Sequence, residues 1–551
     1  MPRKKRYHDI IVRVWFYFIS ILVFAAILVL SFFWRDVLWG LIVALPIFAI
    51  GIYDVLQKES NILRNYPVWG HWRYILLKIR PEIQAYFIET EDSGTPFSRE
   101  MRFLVYQRAN KTLDTMPFGT QKDVHAEGYE WMNHSMSPKQ PTMEGTRVMI
   151  GGPQCTQPYS ASRFNVSAMS FGAISAEAVR ALNRGAKMGN FHQDTGEGGL
   201  SKYHLMEGGD IVWEIGTGYF GCRTKDGKFD PEQFKEKSRH SHVKMVEIKI
   251  SQGAKPSHGA ILPGVKVTKE LAEARGVEPG VDCLSPLAHS TFSTPIGLLK
   301  FVKEIRDLSG GKPAGFKLCI GVPSEFMGIC KAMLETKIYP DFIVIDGSEG
   351  GTGAAPVEFS DSIGVPLNEG LIYVHNCLVG VGLRQHIRLV ASGKIITGFD
   401  ILAKISLGAD LCNSARGMMF ALGCVQSRRC HANTCPTGVT TQDPRRRYAL
   451  DIDKKSPYVY NFHKATLESF LEVLGAAGLE RPEDLSPSHI NRRVSKEKIM
   501  TYKQIFTYLT PNEILEGKAP KDYMKFWAAG DPNSFVRKLE ETYRAASHTQ
   551  E

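Results

Sequence analysis

The strongest constraint on this chain lies near its start. Residues 14–34, VWFYFISILVFAAILVLSFFW, run for 21 positions without a charge. At ~1.5 Å per helical residue such a run reaches across the ~30 Å hydrocarbon core of a bilayer. Backbone amides in lipid must be satisfied within their own segment, and a helix does this. Arg35 and Asp36 follow, and then a second uncharged run, 37–53, which is shorter and carries Pro46. The pair predicts a transmembrane helical hairpin and a membrane anchor over 1–56. Arg3, Lys4, Lys5, Arg6 and Arg13 precede it; Lys58, Arg64, Arg73, Lys78 and Arg80 follow it. Positive charge on both flanks predicts that both ends face the cytoplasm, with the anchor in the inner (plasma) membrane. A cleaved signal peptide is disfavoured: the first run is too long, no small-residue cleavage site follows, and a second apolar run comes at once. No comparable run appears beyond residue 57, so the expectation is an anchor rather than a transporter.

The chain has 551 residues, more than one compact core usually holds. With 43% hydrophobic and 23% charged residues it reads as folded rather than disordered. The net charge of +10 is concentrated around the anchor, and nothing resembles an aromatic-rich RNA motif or a zinc-finger spacing, so nucleic acid is not expected. Of ten cysteines, six are scattered singly and four fall within 412–435, which is not a secreted disulfide scaffold.

Residues 57–160 are aromatic-rich with weak periodicity and read as a linker and lead-in subdomain. From about 161 short apolar runs alternate with amphipathic stretches. Strands are expected at 162–169, 243–250, 315–320, 342–347, 388–393 and near 410–414. Helices are expected at 175–188, 294–308, 324–336, 370–384 and 399–407. This alternation predicts an α/β fold with a parallel sheet, closed into a (β/α)8 TIM-type barrel over 161–430. An open doubly wound sheet is the alternative, but it usually carries one early glycine fingerprint. Here glycines recur after several strands. Residues 431–551 are expected to form a cysteine-containing loop and a helical extension, with helices near 462–477 and 533–546.

Several motifs carry chemistry. DGSEGGTGAAP, 346–356, follows the apolar run FIVID. Its Gly350, Gly351 and Gly353 allow φ > 0 and let amides approach an anion. Gly393 and Lys394 end the next unit, and Arg416 and Gly417 the one after. Glycine loops after late barrel strands are a common phosphate grip. In SAMSFGAIS, 167–175, the backbone at Ala168, Met169 and Ser170 offers a platform for a flat aromatic ring; a tight turn is the plainer reading. VEIKISQGAKP places Lys249, Gln252 and Lys255 at a strand end, and Lys317 sits inside GFKLCI. Lysine in a strand core needs a partner, although an outward, solvated side chain remains the alternative for each. Finally, Cys424, Cys430 and Cys435 are spaced C-x5-C-x4-C, with Cys412 upstream. Common zinc arrangements do not have this spacing; an iron–sulfur cluster suits it better, and three free thiols are the alternative.

Taken in order, SAMSFGAIS, DTGEGG (194–199), QGAKP (252–256), DGSEGGTGAAP, ASGKIITGFD (391–400) and CHANTCPTGVTTQ (430–442) closely resemble the FMN-binding synthase domain of glutamate synthases. The likeness is strongest to the short membrane-anchored form without the glutaminase domain, and it runs from about 160 to 445. It implies an oxidoreductase acting on CH-NH2 donors. Ammonia and 2-oxoglutarate give 2-iminoglutarate, which flavin hydride reduces to L-glutamate. It implies that Ala168–Ser170 face the flavin, that Lys317 meets its N1/O2 edge and that Gln252 bonds the ring. Gly351, Gly353, Gly393 and Gly417 would hold the phosphate, and Lys255 would engage the keto acid. Glu197 would lie near the ammonia entry. Cys424, Cys430 and Cys435 match the ligands of a 3Fe–4S centre. The electron donor would be a ferredoxin, an NAD(P)H-oxidising subunit or a membrane redox carrier. Full-length relatives begin with a glutaminase cysteine, whereas this sequence begins Met-Pro-Arg and enters an apolar run. Ammonia is therefore expected free or from another protein. A glutamate N-methyltransferase-like amine transfer on the same barrel is the alternative, and a non-catalytic flavoprotein scaffold another. The intact glycine loops and cysteines argue against the scaffold.

Overall fold

The computed structural model describes residues 4–536, with side chains from Val14 onward. The basic cluster Arg3–Arg6 and Arg13 has no described side chains, and most of the helix expected at 533–546 lies outside the described residues. The chain divides into two compact units, one ending at Thr90 and the other beginning at Glu91.

The first unit is helical. Helix α1 (Lys4–Ser31) and helix α2 (Leu41–Leu56) are joined through a 3-10 turn, Arg35–Gly40. Val14–Ser31 and Arg35–Leu56 are long and apolar enough to cross a membrane, by length and composition. The two pack through a small residue: a Cβ at Gly51 would stand 2.2 Å from the Phe16 ring. Phe16 stacks on Phe48 with centroids 6.1 Å apart. Helix α3 (Gly70–Ile83) follows and runs into a π turn, Gln84–Ile88.

In the second unit eight strands close a barrel. They are β1 (Phe164–Val166), β2 (His192–Asp194), β3 (Asp210–Ile215), β4 (Val243–Lys249), β5 (Ala314–Leu318), β6 (Phe342–Asp346), β7 (Arg388–Ser392) and β8 (Leu411–Ser414). Each is parallel to the next, and β8 returns to β1 with Asn413 opposite Asn165. The expected (β/α)8 architecture is what forms. Strands buried on both faces read as continuous apolar runs, which is why β5 to β7 are legible. The apolar-run reading misses β2 and β3. HQD is three polar residues, and in DIVWEI the run is broken by Asp210 and Glu214.

Helices α4 (Ala176–Gly189), α5 (Pro295–Leu308), α6 (Pro323–Thr336), α7 (Leu367–Gly380) and α8 (Gly398–Ser406) cover the outside. Their starts are chemically marked: Ser175, Thr294 and Thr397 each accept a backbone N–H at the helix N-terminus. An antiparallel hairpin, 147–150 with 159–162, closes the N-terminal end of the barrel. Its Val148, Ile150, Tyr159 and Ala161 cluster with Val212, Met245, Phe342, Val344, Val390 and Leu411. That end is filled with apolar side chains, and the polar groups collect at the opposite mouth. Residues 91–160, expected as part of a lead-in subdomain, belong to the same compact unit as the barrel, and 130–132 pairs with 490–493.

Helix α9 (Ile452–Ala476) is longer than the 462–477 expected, because Pro457 inside it marks a false start. It lies against α4 at close range. A Cβ on Gly185 would stand 2.7 Å from Val459 Cβ and 2.9 Å from the Ser456 carbonyl. Gly185→Val is therefore expected to cost about 1–3 kcal/mol by overpacking. Gly321→Ala, where an added Cβ meets nothing within 4 Å, should be near neutral. Thermal unfolding followed by circular dichroism separates the two.

Candidate active site

The loops after β1, β2, β4, β6, β7 and β8 line one cavity at the C-terminal mouth of the barrel. Its floor is made by the strands themselves. Register sets Glu214 of β3 beside Glu247 of β4, and Lys249 of β4 beside Lys317 of β5. Residues two apart on a strand share a face, so Glu247 and Lys249 point the same way. The Lys317 ammonium is in contact with Glu214 and lies 3.4 Å from Glu247 Oε1. Asp194 completes the group: the carboxylates of Asp194, Glu214 and Glu247 lie within 4.8 Å of one another. All four side chains are buried.

Three carboxylates around one ammonium cannot all be ionised cheaply. Burial, reinforced by the charge on Glu214, pushes Asp194 up to about 7, against the pull of Lys317 and the Gly196 amide. Burial also drives Glu247 well above the carboxylate range, with Lys317 opposing and the neighbouring acids adding to the rise. For Lys317, burial is outweighed by Glu214 and Glu247, and its pKa rises well above normal. The lysine stays charged and the group retains a proton.

One wall carries a second charged set. Lys249 pairs with Glu197 at 2.8 Å and also contacts Gln252 Oε1. Burial would raise the Glu197 carboxyl, but Lys249, with Lys255 and Arg275 behind it, holds it below the usual range. Lys255 is buried too, and its ammonium has no hydrogen bond or ion pair among the described residues. Burial lowers its pKa to about 8, with Glu197 opposing and Lys249 adding.

The far end of the cavity is cationic. Arg416 donates to the Glu349 carbonyl at 2.8 Å and lies over the Phe97 ring at 4.7 Å. Burial lowers its pKa to about 10, with Asp346 and Glu349 opposing. Lys394, with φ +51, stands beside it, and burial and Arg416 lower its pKa. Gly393 adopts φ +150. The expectation that Gly350, Gly351 and Gly353 serve through positive φ is corrected: none of them adopts it. Space explains two of them better. A Cβ on Gly351 would stand 2.8 Å from Arg416 Nε, and one on Gly350 would stand 3.0 Å from the Gly347 carbonyl. At Gly353 nothing lies within 4 Å. Gly417 is a packing glycine, 2.6 Å from Ser414 Oγ by the same measure.

The structure thus brings Ala168, Met169, Ser170, Glu197, Gln252, Lys255, Lys317, Gly350, Gly351, Gly353, Gly393, Lys394, Arg416 and Gly417 around one cavity. Lys249 and Lys317, for which a solvated orientation was open, both point inward. The same cavity reaches Cys430 and His431. Cys424, Cys430 and Cys435 are free thiols. Burial raises Cys424 to about 12, with the Gln426 amide opposing and charge on Cys430 and Cys435 adding, so the three lie within electrostatic reach. Sequence reasoning missed Asp194, Glu214 and Glu247, and also Lys266, whose ammonium joins Ala173 O (2.8 Å) to Cys430 O (3.3 Å). Glu214 and Glu247 do leave a signal, each an acid flanked on both sides by buried apolar residues of its strand.

Fold and site together define a (β/α)8-barrel enzyme with its chemistry at the C-terminal mouth. Residues 133–480 match the conserved region in glutamate synthase. The glutamate synthase large subunit-like protein YerD of Bacillus subtilis (strain 168) is 39% identical over 494 residues, 82% of this chain and 93% of that protein. The archaeal glutamate synthase (NADPH) of Methanocaldococcus jannaschii is 34% identical over 323 residues, 58% of this chain and 60% of its own length. The chain belongs to the glutamate synthase family and carries the oxidoreductase barrel of that family. Solved structures are more distant. A mutant flavocytochrome b2 with pyruvate bound covers 89% of this chain and 96% of its own at 12% identity and TM-score 0.39, a likeness too slight to carry weight.

The floor makes its own prediction. Lys317→Met leaves three buried carboxylates without a counter-charge and is expected to cost about 3–5 kcal/mol. Adding Glu214→Gln and Glu247→Gln should recover much of it. Thermal denaturation of the single and the triple variant measures this, and equal losses in both would refute the charge balance.

Proposed function

We propose that this chain is an FMN-dependent, membrane-anchored glutamate synthase-type oxidoreductase that converts 2-oxoglutarate and ammonia to L-glutamate. One observation carries the reading: a single cavity joins a cationic, glycine-lined end to a wall bearing Lys255 and Glu197. The cationic end suits a phosphate. Lys394 makes no hydrogen bond or ion pair among the described residues, and Gly353 leaves open space where a Cβ would stand. The buried Asn413 Oδ1, an acceptor without a partner, suits a hydroxyl or N–H of the ligand rather than its phosphate. The backbone at Ala168–Ser170, with Gln252, lines the middle, and Lys317 lies beneath it. These residues fit a flat ring with a phosphate tail.

Bound FMN would supply a hydride to an imine carbon. The protein supplies the rest. Lys255 holds a carboxylate of the keto acid. Glu197, kept ionised by Lys249, receives ammonium at the same wall. Ammonia condenses with the keto group, water leaves, and 2-iminoglutarate takes up a hydride and a proton. Lys317, fixed by Glu214 and Glu247, presents constant positive charge where negative charge builds on a reduced ring. Cys424, Cys430 and Cys435 are the ligands for a 3Fe–4S cluster. Three free thiols beside a cavity that reaches Cys430 support this. Electrons then come from a ferredoxin, an NAD(P)H-oxidising subunit or a membrane carrier. The helices Val14–Ser31 and Arg35–Leu56 support insertion into the inner membrane, with the barrel on the cytoplasmic side.

Anaerobically purified, photoreduced protein should recover its oxidised flavin spectrum only when 2-oxoglutarate and ammonium are both added. No recovery would move the reading to another substrate, and amine transfer to glutamate without a reductant would favour the transferase alternative. Cys430→Ser should lose iron while retaining flavin, read as the iron-to-flavin ratio. Lys255 binds an anion only while protonated. Because its pKa is lowered to about 8, affinity for 2-oxoglutarate should hold below that pH and weaken by about tenfold per unit above it. Lys255→Met should bind weakly at every pH in the same flavin-perturbation titration.

A further inference from the structure

Helix α3 has an apolar stripe that no described residue of its own unit covers. At 100° per residue Trp69, Trp72, Ile75, Leu76, Ile79 and Ile83 fall on one face. A helix of a folded protein normally buries such a face, yet these six are 36–69% exposed. The π turn that follows adds Tyr86 and Phe87, both exposed. Arg73 and Arg80 border the stripe on one edge, and Glu82 and Lys78 on the other.

The helix is also fixed in place. Asp54, in the last turn of α2 and fully buried, accepts the Val68 N–H at 2.9 Å and pairs with His71 Nε2 at 2.9 Å. Tyr74 Oη lies 2.7 Å from Ser60 Oγ. Val68 has φ +65, a conformation that β-branched residues avoid, and the Asp54 contact holds it there. The chain is thus turned sharply at the end of the second apolar span, and the stripe begins there. Between 57 and 88 five basic residues stand against two acidic ones. Tryptophan and tyrosine favour the membrane–water boundary, and basic flanks favour anionic headgroups.

We propose that α3 and its π turn lie along the surface of an anionic bilayer, with the stripe at the acyl boundary and Arg73 and Arg80 at the headgroups. The inference rests on the reading of 14–56 as membrane-spanning. The full chain is reconstituted in nanodiscs of phosphatidylcholine, with or without phosphatidylglycerol, carrying a phospholipid with a photoactivatable group near its glycerol. Lipid adducts are then mapped by mass spectrometry. Adducts are expected in both 14–56 and 69–87, with those in 69–87 rising severalfold with phosphatidylglycerol. Trp72→Glu with Ile79→Glu should lose the 69–87 adducts severalfold and keep the others. Adducts confined to 14–56 overturn the proposal and leave the spans standing. Adducts in neither segment overturn both. Protein–protein adducts joining two copies through 69–87, in place of lipid adducts, overturn it in favour of self-association.

Discussion

The barrel is organised around the contact between Lys317 and the acids of the neighbouring strands. An ammonium and an ionised carboxylate about 4 Å apart attract by about 4 kcal/mol at an effective dielectric of ~20. Burying each ion costs several kcal/mol, so one pair alone roughly breaks even. Glu214, in contact with Lys317, supplies that pair, and Glu247, whose burial favours its neutral form, adds a polar contact at 3.4 Å that tips the balance. The arrangement exists only because β3, β4 and β5 hold their register, since a slip of one residue would turn every side chain to the other face. The charge group thus depends on the sheet, and the sheet must keep its order to avoid an uncompensated charge in its interior.

From this floor the cavity acquires its polarity. The charged wall built by Lys249, Glu197 and Lys255 stands on the strand end just above, and the Lys394–Arg416 end lies across the mouth. Each cation is handled differently: Lys317 is saturated by carboxylates, Lys249 is paired once, and Lys255 and Lys394 face the cavity unpaired. This gradation distinguishes groups that shape the site from groups with capacity left for a ligand.

Much of this was legible in the residues. The parallel barrel followed from apolar runs alternating with helices, and the cavity lining from glycine-rich strand ends and inward lysines. What escaped did so for physical reasons. β2 has no apolar residue to announce it. Asp194, Glu214 and Glu247 come from three strands, and their proximity follows from closure and register, which no local pattern encodes. The rule applied to Lys317, that a charge within an apolar strand needs a partner, applied equally to Glu214 and Glu247. Glycine misled in another way. Gly350 and Gly351 were expected for backbone freedom, but a Cβ at either would crowd a neighbour, the Gly347 carbonyl or the Arg416 side chain. Pro457 hid the start of α9 because a proline early in a helix looks like a boundary.

The hairpin that fills the N-terminal end of the barrel has a consequence for traffic. With Val148, Ile150, Tyr159 and Ala161 packed into that end, the interior is stoppered on the hairpin side and small molecules do not pass through it there. Traffic to the charged floor is therefore confined to the C-terminal mouth and its loops.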